Sequence, residues 1–146
     1  MAIIQANIQH LDDLAILFDA YRQFYKQQSN LNAATQFLKN NLNNNESVIF
    51  LAQQDNQTQG FVQLYPTWES ISMSKRWVLY DLFVTPEGRG QSIGRALLQQ
   101  AKQFAIHSGA KFITLETAHD NITAQALYES EGYKKDLEFY SYQLGL

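Results

Sequence analysis

The segment of this sequence whose residue types and spacing best suit chemistry is a glycine-rich stretch at residues 81–95. It reads DLFVTPEGRGQSIGR and carries Gly88, Gly90 and Gly94 together with two arginines. Because glycine has no Cβ, backbone N–H groups at such positions can approach a ligand closely. A helical pattern follows the glycines, and the N–H groups at the start of a helix bind phosphate. We therefore predict a phosphate-binding turn; a plain strand-to-helix turn is the alternative.

Two common phosphate motifs fit this stretch poorly. A Walker-type P-loop needs Lys and then Ser or Thr after its last glycine, but Gly94 is followed by Arg95 and Ala96. A dinucleotide fingerprint needs a third glycine where Ile93 stands, although Glu116 lies near the distance expected for a ribose contact. The P-loop is therefore excluded, and dinucleotide binding is kept as an alternative.

Elements that can position this turn are predicted along the whole chain from hydrophobic periodicity. Predicted strands cover residues 2–8, 48–52, 60–65, 71–84, 112–115 and 138–144. Predicted helices cover residues 12–27, 33–42, 91–107 and 122–131. A polar hairpin loop is expected at residues 53–59 and a break at residues 66–70. Since no repeat and no long linker divides these elements, we expect one domain over residues 1–146.

Composition narrows the function classes further. The 146 residues are 45% hydrophobic and 13% aromatic, which argues against disorder, and a formal net charge of −3 does not favour a nucleic-acid partner. The absence of cysteine excludes a disulfide scaffold, a thiolate zinc site and a cysteine nucleophile. His10, His107 and His119 lack metal-ligand spacing, so no metal is expected. With no long apolar run and no secretory leader, the chain is expected to be cytoplasmic, without a membrane partner.

Two motifs resemble signatures of the GCN5-related N-acetyltransferase (GNAT) family. Residues 84–94 read VTPEGRGQSIG and are followed by Leu97 and Leu98, and residues 121–133 read NITAQALYESEGY. Ser92 stands where the family often has a glycine; because serine is small and keeps its N–H, phosphate binding is expected to survive. The resemblance covers the whole chain. It implies the fold class α/β (α+β), as a single GNAT-like domain with a mixed, mostly antiparallel sheet flanked by helices.

The resemblance also implies that acetyl-CoA is the co-substrate and that the chain is an enzyme. The pyrophosphate is expected at the turn and the first helical residues, which are Arg89, Gly90, Gln91, Ser92, Ile93, Gly94 and Arg95. The pantetheine arm is expected to pair like an extra strand with the backbone of Leu82, Phe83 and Val84. In the second motif, Asn121 and Ala124 are expected to contact the cofactor. Asn121 has the alternative role of N-cap for the following helix.

Three side chains are candidates for the proton transfers. Tyr128 matches the family residue proposed to protonate the leaving thiolate, and a phenol with a pKa of about 10 suits that task; a core aromatic is the alternative. The acceptor amine must lose a proton before it attacks. Asp81 and Glu116, at the ends of two strands expected to separate, are the candidates for this base, directly or through water. Asp81 has the alternative role of a structural acceptor at a bulge.

The acceptor pocket is expected to use Tyr25, Tyr65 and Trp68, because aromatic faces suit a cationic amine. Tyr21 and Glu69 are further candidates, and the tyrosines of the first helix have the alternative of facing the core. We expect a small, polyamine-like primary amine, acetylated by direct attack in a ternary complex because no cysteine can carry the acetyl group. The alternatives are a protein lysine or N-terminus, and a non-catalytic acyl-CoA-binding regulatory module.

A homodimer is expected through the predicted last strand. Residues 139–144 read FYSYQL and would place apolar side chains on both faces of that strand. A terminal strand that faces water on one side should be polar there, and an exposed edge invites pairing with another chain. Coverage of one face by the N-terminal helices is the alternative.

Overall fold

The computed structural model describes residues 1–146. Its residues group into two compact units, Met1–Glu116 and Thr117–Leu146. The strands of the first unit are β1 (Ala2–Gln5), β2 (Val48–Gln54), β3 (Gln57–Glu69), β4 (Ser74–Val84) and β5 (Phe112–Thr114). Its helices are α1 (Leu11–Phe24), α2 (Leu31–Asn43) and α3 (Ile93–His107). The second unit contains α4 (Ile122–Ser130).

The five strands form one sheet in the order β1-β2-β3-β4-β5. The pairings from β1 to β4 are antiparallel, and β4 pairs with β5 in parallel. The predicted fold class, a mixed and mostly antiparallel sheet with helices, is therefore confirmed. None of the helices is both long enough and apolar enough to cross a membrane.

Strand β3 is longer than predicted at both ends. The expected loop at residues 53–59 is a tight turn at Asp55 and Asn56, which both adopt positive φ, as Asp and Asn tolerate in hairpin turns. The expected break at residues 66–70 is also wrong, since Pro66 continues β3 opposite β4. Pairing with β2 ends at Leu64, so Pro66 lies where β3 has a neighbour on one side only. A proline without an N–H is tolerated at such an edge.

Helices cover both faces of the sheet. Leu14 of α1 and Leu38 of α2 are fully buried in one cluster with Leu51 of β2. Phe50, the residue before Leu51, packs instead on Phe104 of α3, with ring centroids 5.5 Å apart. Because successive strand residues point to opposite faces, α1 and α2 lie on one face and α3 on the other.

In the second unit, the predicted strand at residues 138–144 is wrong. Residues 134–146 have no regular helix or strand, and their side chains are exposed. The Asp136 carboxylate accepts hydrogen bonds from the backbone N–H groups of Glu138 (2.8 Å) and Phe139 (3.1 Å). Such a local side-chain turn competes with strand pairing for the same backbone donors. The alternation of polar and apolar residues alone therefore does not form a strand here.

Candidate active site

The glycine-rich turn joins the end of β4 to the start of α3. Thr85 follows β4 and is the N-cap of a 3₁₀ turn, in which the N–H of Gly88 donates to the Thr85 carbonyl at 3.0 Å and to the Thr85 hydroxyl at 3.2 Å. Gly90 (φ +77°) and Ser92 (φ +61°) then adopt left-handed backbone conformations before α3 begins at Ile93. The seven residues predicted to contact pyrophosphate therefore follow one another through a sharp turn into a helix.

Two features of this turn suit an anion. The first hydrogen bond of α3 runs from the N–H of Ala96 to the carbonyl of Ser92 at 3.0 Å, so the N–H groups of Ile93 and Gly94 precede the helical ladder. At Gly90, an added Cβ would meet nothing within 4 Å, so the approach to the backbone is open. These groups fit a pyrophosphate, which binds to helix N-terminal amides through charge-assisted hydrogen bonds.

Strand β4, which precedes the turn, has an open edge. It pairs with β5 only from Arg76 to Val78, and its later residues pair with β3 alone. Leu82 and Val84, for example, lie opposite Val62 and Gly60 of β3. The edge that faces away from β3 can therefore offer backbone groups to an amide-bearing arm. This is the segment predicted to pair with pantetheine.

A β-bulge in β4 determines where Asp81 points. Gln63 of β3 pairs with Asp81, but Leu64 pairs with Leu79, so Tyr80 is the extra residue. Before the bulge, Trp77 packs on Phe104 of α3, at 5.0 Å between ring centroids. Phe83 follows Trp77 by six residues, an even number that would place both on one face of a regular strand, yet Phe83 packs on Tyr21 of α1, at 6.3 Å. The bulge thus turns Asp81 toward the face covered by α1 and α2.

Asp81 is a buried carboxylate held by neutral partners. It is 4% exposed, and its Oδ2 accepts a hydrogen bond from Gln63 Nε2 at 2.6 Å. Burial raises the pKa of Asp81 above its usual value, while the hydrogen bonds from Gln63 and Tyr21 oppose part of that rise. A carboxylate with a raised pKa is suited to general base chemistry near neutral pH.

Tyrosines of α1 and β3 lie near this carboxylate. The ring centroids of Tyr21 and Tyr25 on α1 lie 5.1 Å apart, and those of Tyr65 on β3 and Tyr80 on β4 lie 5.9 Å apart. Burial and the Asp81 charge raise the pKa of Tyr65 to about 12, and they also raise the pKa values of Tyr21 and Tyr25. Tyr21, Tyr25 and Tyr65 therefore stay neutral near pH 7.

The predicted acceptor residues are distributed between this cluster and the end of the hairpin. Tyr25 is 45% exposed and Tyr65 is half-buried, and both interact electrostatically with Asp81. Trp68 lies near the end of β3, opposite Lys75, and is 72% exposed. At the tip of the hairpin, hydrogen bonds from the side chain and backbone of Ser72, and from the backbone N–H of Ile71, lower the pKa of Glu69.

The remaining candidates occupy the end of the first unit and the second unit. Glu116 is exposed and follows β5 by two residues. Asn121 is the N-cap of α4, where its Oδ1 accepts a hydrogen bond from the N–H of Ala124 at 3.3 Å. Tyr128 is half-buried on α4, with its ring centroid 5.9 Å from that of Tyr133. The capping role is thus observed, and the catalytic roles stay predictions.

Sequence reasoning missed the buried polar partners of Asp81. Gln63 is fully buried between Val62 and Leu64, inside the otherwise apolar run Phe61–Leu64 of β3. Asn41 and Ser47 are also buried and hydrogen-bond to Gln63. The available signal was a glutamine inside a run of apolar residues, because such a side chain needs hydrogen-bond partners when buried.

Comparison with known proteins gives the class that this fold and site define. The family model described as the acetyltransferase (GNAT) family matches residues 12–133, and the chain therefore belongs to the GNAT family. YhfO of Bacillus subtilis (strain 168), named an uncharacterized N-acetyltransferase, is 45% identical over 146 residues, covering 100% of this chain and 98% of that protein. A probable acetyltransferase of Haemophilus influenzae is 32% identical over 147 residues, covering 100% of this chain and 99% of that protein.

Solved structures agree with this assignment. The crystal structure of a probable acetyltransferase has a TM-score of 0.96 and 42% identity, covering 100% of this chain and 98% of that one. An aminoglycoside N-acetyltransferase in complex with CoA shares the fold, with a TM-score of 0.84, 18% identity, and coverage of 98% and 93%. Family membership and the names of the full-length relatives identify the chain as an acetyl-CoA-dependent N-acetyltransferase, as predicted.

Proposed function

We propose that the enzyme acetylates a small primary amine of the polyamine type and that Asp81 is the base that accepts the amine's proton. The observation that carries this proposal is the buried Asp81 carboxylate beside Tyr25 and Tyr65. A carboxylate and aromatic faces both attract an ammonium group, and their attraction is stronger away from bulk water. Trp68, exposed near the end of β3, is proposed to contact a more distant part of the acceptor.

The proposed reaction is a direct transfer. Asp81 takes a proton from the ammonium group, directly or through one water, and the nitrogen lone pair bonds to the thioester carbonyl carbon. The nitrogen loses its second proton to solvent as the C–S bond breaks, and the electron pair of that bond goes to sulfur. Asp81 returns its own proton to solvent. Tyr128 protonates the thiolate and regains its proton from solvent. The balance is ammonium plus acetyl-CoA to amide, CoA thiol and one released proton. Glu116 is the second candidate for the base.

The turn and the open edge of β4 are proposed to bind acetyl-CoA. The amides at the start of α3 and the open backbone at Gly90 support the pyrophosphate position. The edge at Leu82, Phe83 and Val84 supports pairing with pantetheine, and an N–H near Leu82 would stabilise the negative charge that develops on the acetyl oxygen. Asn121 and Ala124 are proposed as further contacts.

A screen of acceptors tests this proposal. The purified enzyme is mixed with acetyl-CoA and with spermidine, simple primary amines, a lysine peptide or a free N-terminal peptide, and the released thiol is measured. We expect saturable release with small amines and acetylated amine by mass spectrometry. Faster release with either peptide would overturn the small-amine proposal in favour of a protein acceptor. Thiol release that no acceptor increases would overturn acceptor acetylation altogether.

Two further expectations belong to this proposal. A homodimer through the C-terminal segment is supported by the exposure of its apolar side chains, which reaches 90% at Tyr140 and 94% at Tyr142. That support comes from exposed apolar surface and not from the strand expected there, because no strand forms. A cytoplasmic location stays a prediction from the sequence.

A further inference from the structure

Four buried polar side chains form one hydrogen-bonded network in the first unit. The members are Asn41 of α2, Ser47 after α2, Gln63 of β3 and Asp81 of β4, each at most 7% exposed. Gln63 lies at the centre, since it donates to Asp81 and accepts from both Asn41 and Ser47. Buried polar groups reduce stability unless they are fully hydrogen-bonded. A network of this kind in the core therefore needs a reason beyond packing.

The network fixes the orientation of the Gln63 amide. Its Oε1 accepts from Ser47 Oγ at 2.7 Å and from Asn41 Nδ2 at 3.1 Å. Asn41 Nδ2 also donates to the hydroxyl of Tyr65 at 3.2 Å. A flipped Gln63 amide would set its N–H groups against the Asn41 amide donors and would lose the carbonyl as an acceptor. The Gln63 Nε2 group is thereby directed at the carboxylate of Asp81.

The bulge and the network act on the same residue. The bulge at Tyr80 turns Asp81 to the face of α1 and α2, and Gln63 is the residue paired with it across the sheet. The hydrogen bond between Gln63 Nε2 and Asp81 Oδ2 then limits rotation of the carboxylate. The titratable groups that face Asp81 are Tyr21 and Tyr25 of α1 and Tyr65 of β3.

We propose that Gln63 is a positioning residue for acetyl transfer, held by Ser47 and Asn41 so that its amide orients the Asp81 carboxylate and favours the ionised form that accepts a proton. This inference rests on the proposed role of Asp81 as the base. Gln63 touches neither substrate in this account and acts through Asp81 alone. Hydrogen bonding to a charged carboxylate favours ionisation, and the Gln63 bond lowers the pKa of Asp81 against the effect of burial.

The pH dependence of kcat/KM separates this role from simple packing. The base must be ionised, so activity rises with pH through the pKa of Asp81. Gln63→Glu keeps the shape and the acceptor for Ser47, but it removes the donor and sets a second carboxylate beside Asp81. In the Gln63→Glu variant we expect kcat/KM to increase at a pH about one unit or more above that of the parent, because like charges raise a carboxyl pKa. Gln57→Glu adds the same charge at an exposed position of β3 and is the control. We expect its pH dependence of kcat/KM to match that of the parent.

A neutral variant covers the case in which Gln63→Glu does not fold. Gln63→Met keeps the length of the side chain and removes the donor without adding charge. We expect it to move the rise in the same direction by a smaller amount, and to lower kcat while the KM for acetyl-CoA stays unchanged. A folded Gln63→Met or Gln63→Glu variant whose kcat/KM increases at the same pH as in the parent overturns the proposal.

The Asp81→Asn variant distinguishes the two possible failures. If Asp81→Asn keeps the parent rate, Asp81 is not the base, and the proposed role of Gln63 is overturned as well. If Asp81→Asn loses activity while the Gln63 variants keep the parent pH profile, only the inference about Gln63 is wrong. Loss of activity in Asp81→Asn together with shifted profiles in the Gln63 variants supports both.

Discussion

Gln63 Nε2 and Asp81 Oδ2 lie 2.6 Å apart at the position where β4 bulges, and both side chains are buried. The partners of this carboxylate, Gln63 and Tyr21, are neutral, so no cation compensates its charge by direct contact. Ionisation of Asp81 therefore lowers the stability of the folded state. Residues that function requires often have such a cost.

Asp81→Asn separates catalysis from stability. Because the folded-state pKa of Asp81 is raised, its contribution to stability is fully present below the unfolded pKa of about 3.9 and is lost as pH rises through the folded value. The amide introduced by Asp81→Asn cannot ionise, and its oxygen can still accept from Gln63. We expect kcat to fall by about 10²–10⁴-fold, while thermal unfolding at pH 7.5 occurs at an equal or higher temperature than in the parent.

The same comparison repeated near pH 4 checks the sign. Near pH 4 the difference in unfolding temperature between Asp81→Asn and the parent should be smaller, because the parent carboxyl becomes protonated. Asp13→Asn, at an exposed position in the first turn of α1, is the matched control. A strongly destabilised Asp81→Asn variant at pH 7.5 would instead assign Asp81 a structural role at the bulge.

Gly94→Val tests the phosphate-binding turn. Gly94 lies in the first turn of α3, and a branched side chain there would obstruct a ligand that approaches the helix amides. We expect the Kd for acetyl-CoA, measured by calorimetry, to rise by at least about tenfold, which corresponds to about 1.4 kcal/mol. Gly145→Val, where an added side chain meets nothing within 4 Å, is the control. Unchanged affinity in a folded Gly94→Val variant would show that the pyrophosphate does not bind at this turn.

Ser92→Gly tests whether the turn holds a residue under strain. Ser92 has φ +61°, and a left-handed conformation costs a non-glycine residue about 1–2 kcal/mol. Glycine has greater freedom in the unfolded chain, which offsets about 0.4–1 kcal/mol of that gain. We expect the free energy of unfolding in urea to rise by up to about 1.5 kcal/mol, with acetyl-CoA affinity retained. Loss of stability would mean that the Ser92 side chain makes a compensating contact.

Tyr128→Phe tests the proposed proton donor. The variant keeps the ring that lies beside Tyr133 and removes only the hydroxyl. We expect kcat to fall by about 10²-fold, within the range of acid–base catalysis, with little change in acetyl-CoA affinity. Tyr142→Phe, at a position 94% exposed, should match the parent. Parent rates for Tyr128→Phe at all pH values would make Tyr128 a packing residue only.

The C-terminal segment is tested by the mass of the protein in solution. Apolar side chains that are exposed together mark interaction surfaces. We expect a dimer by light scattering at micromolar concentration, and a monomer after Tyr140→Asp and Tyr142→Asp are combined. A parent that stays monomeric contradicts the dimer, whereas a variant that stays dimeric places the interface elsewhere.

Local sequence signals predicted the parts of the fold that depend on local structure. The turn from Val84 into α3 was found from its glycines, and the helices were found from their apolar spacing. The network around Gln63 was not found, because it joins Asn41, Ser47 and Asp81 across three segments of the chain. The direction of Asp81 depends on a bulge, and one extra residue in a strand reverses which face every later side chain occupies. Periodicity within β4 alone cannot show that reversal.

The stoichiometry of one reaction tests most directly whether Asp81 is the base for amine acetylation. The parent enzyme and Asp81→Asn are each given acetyl-CoA and the best small amine from the screen, and free CoA and acetylated amine are both quantified by mass spectrometry. We expect equal amounts of the two products with the parent and a loss of both together in Asp81→Asn. Free CoA without acetylated amine, or equal product formation by Asp81→Asn, would contradict this role.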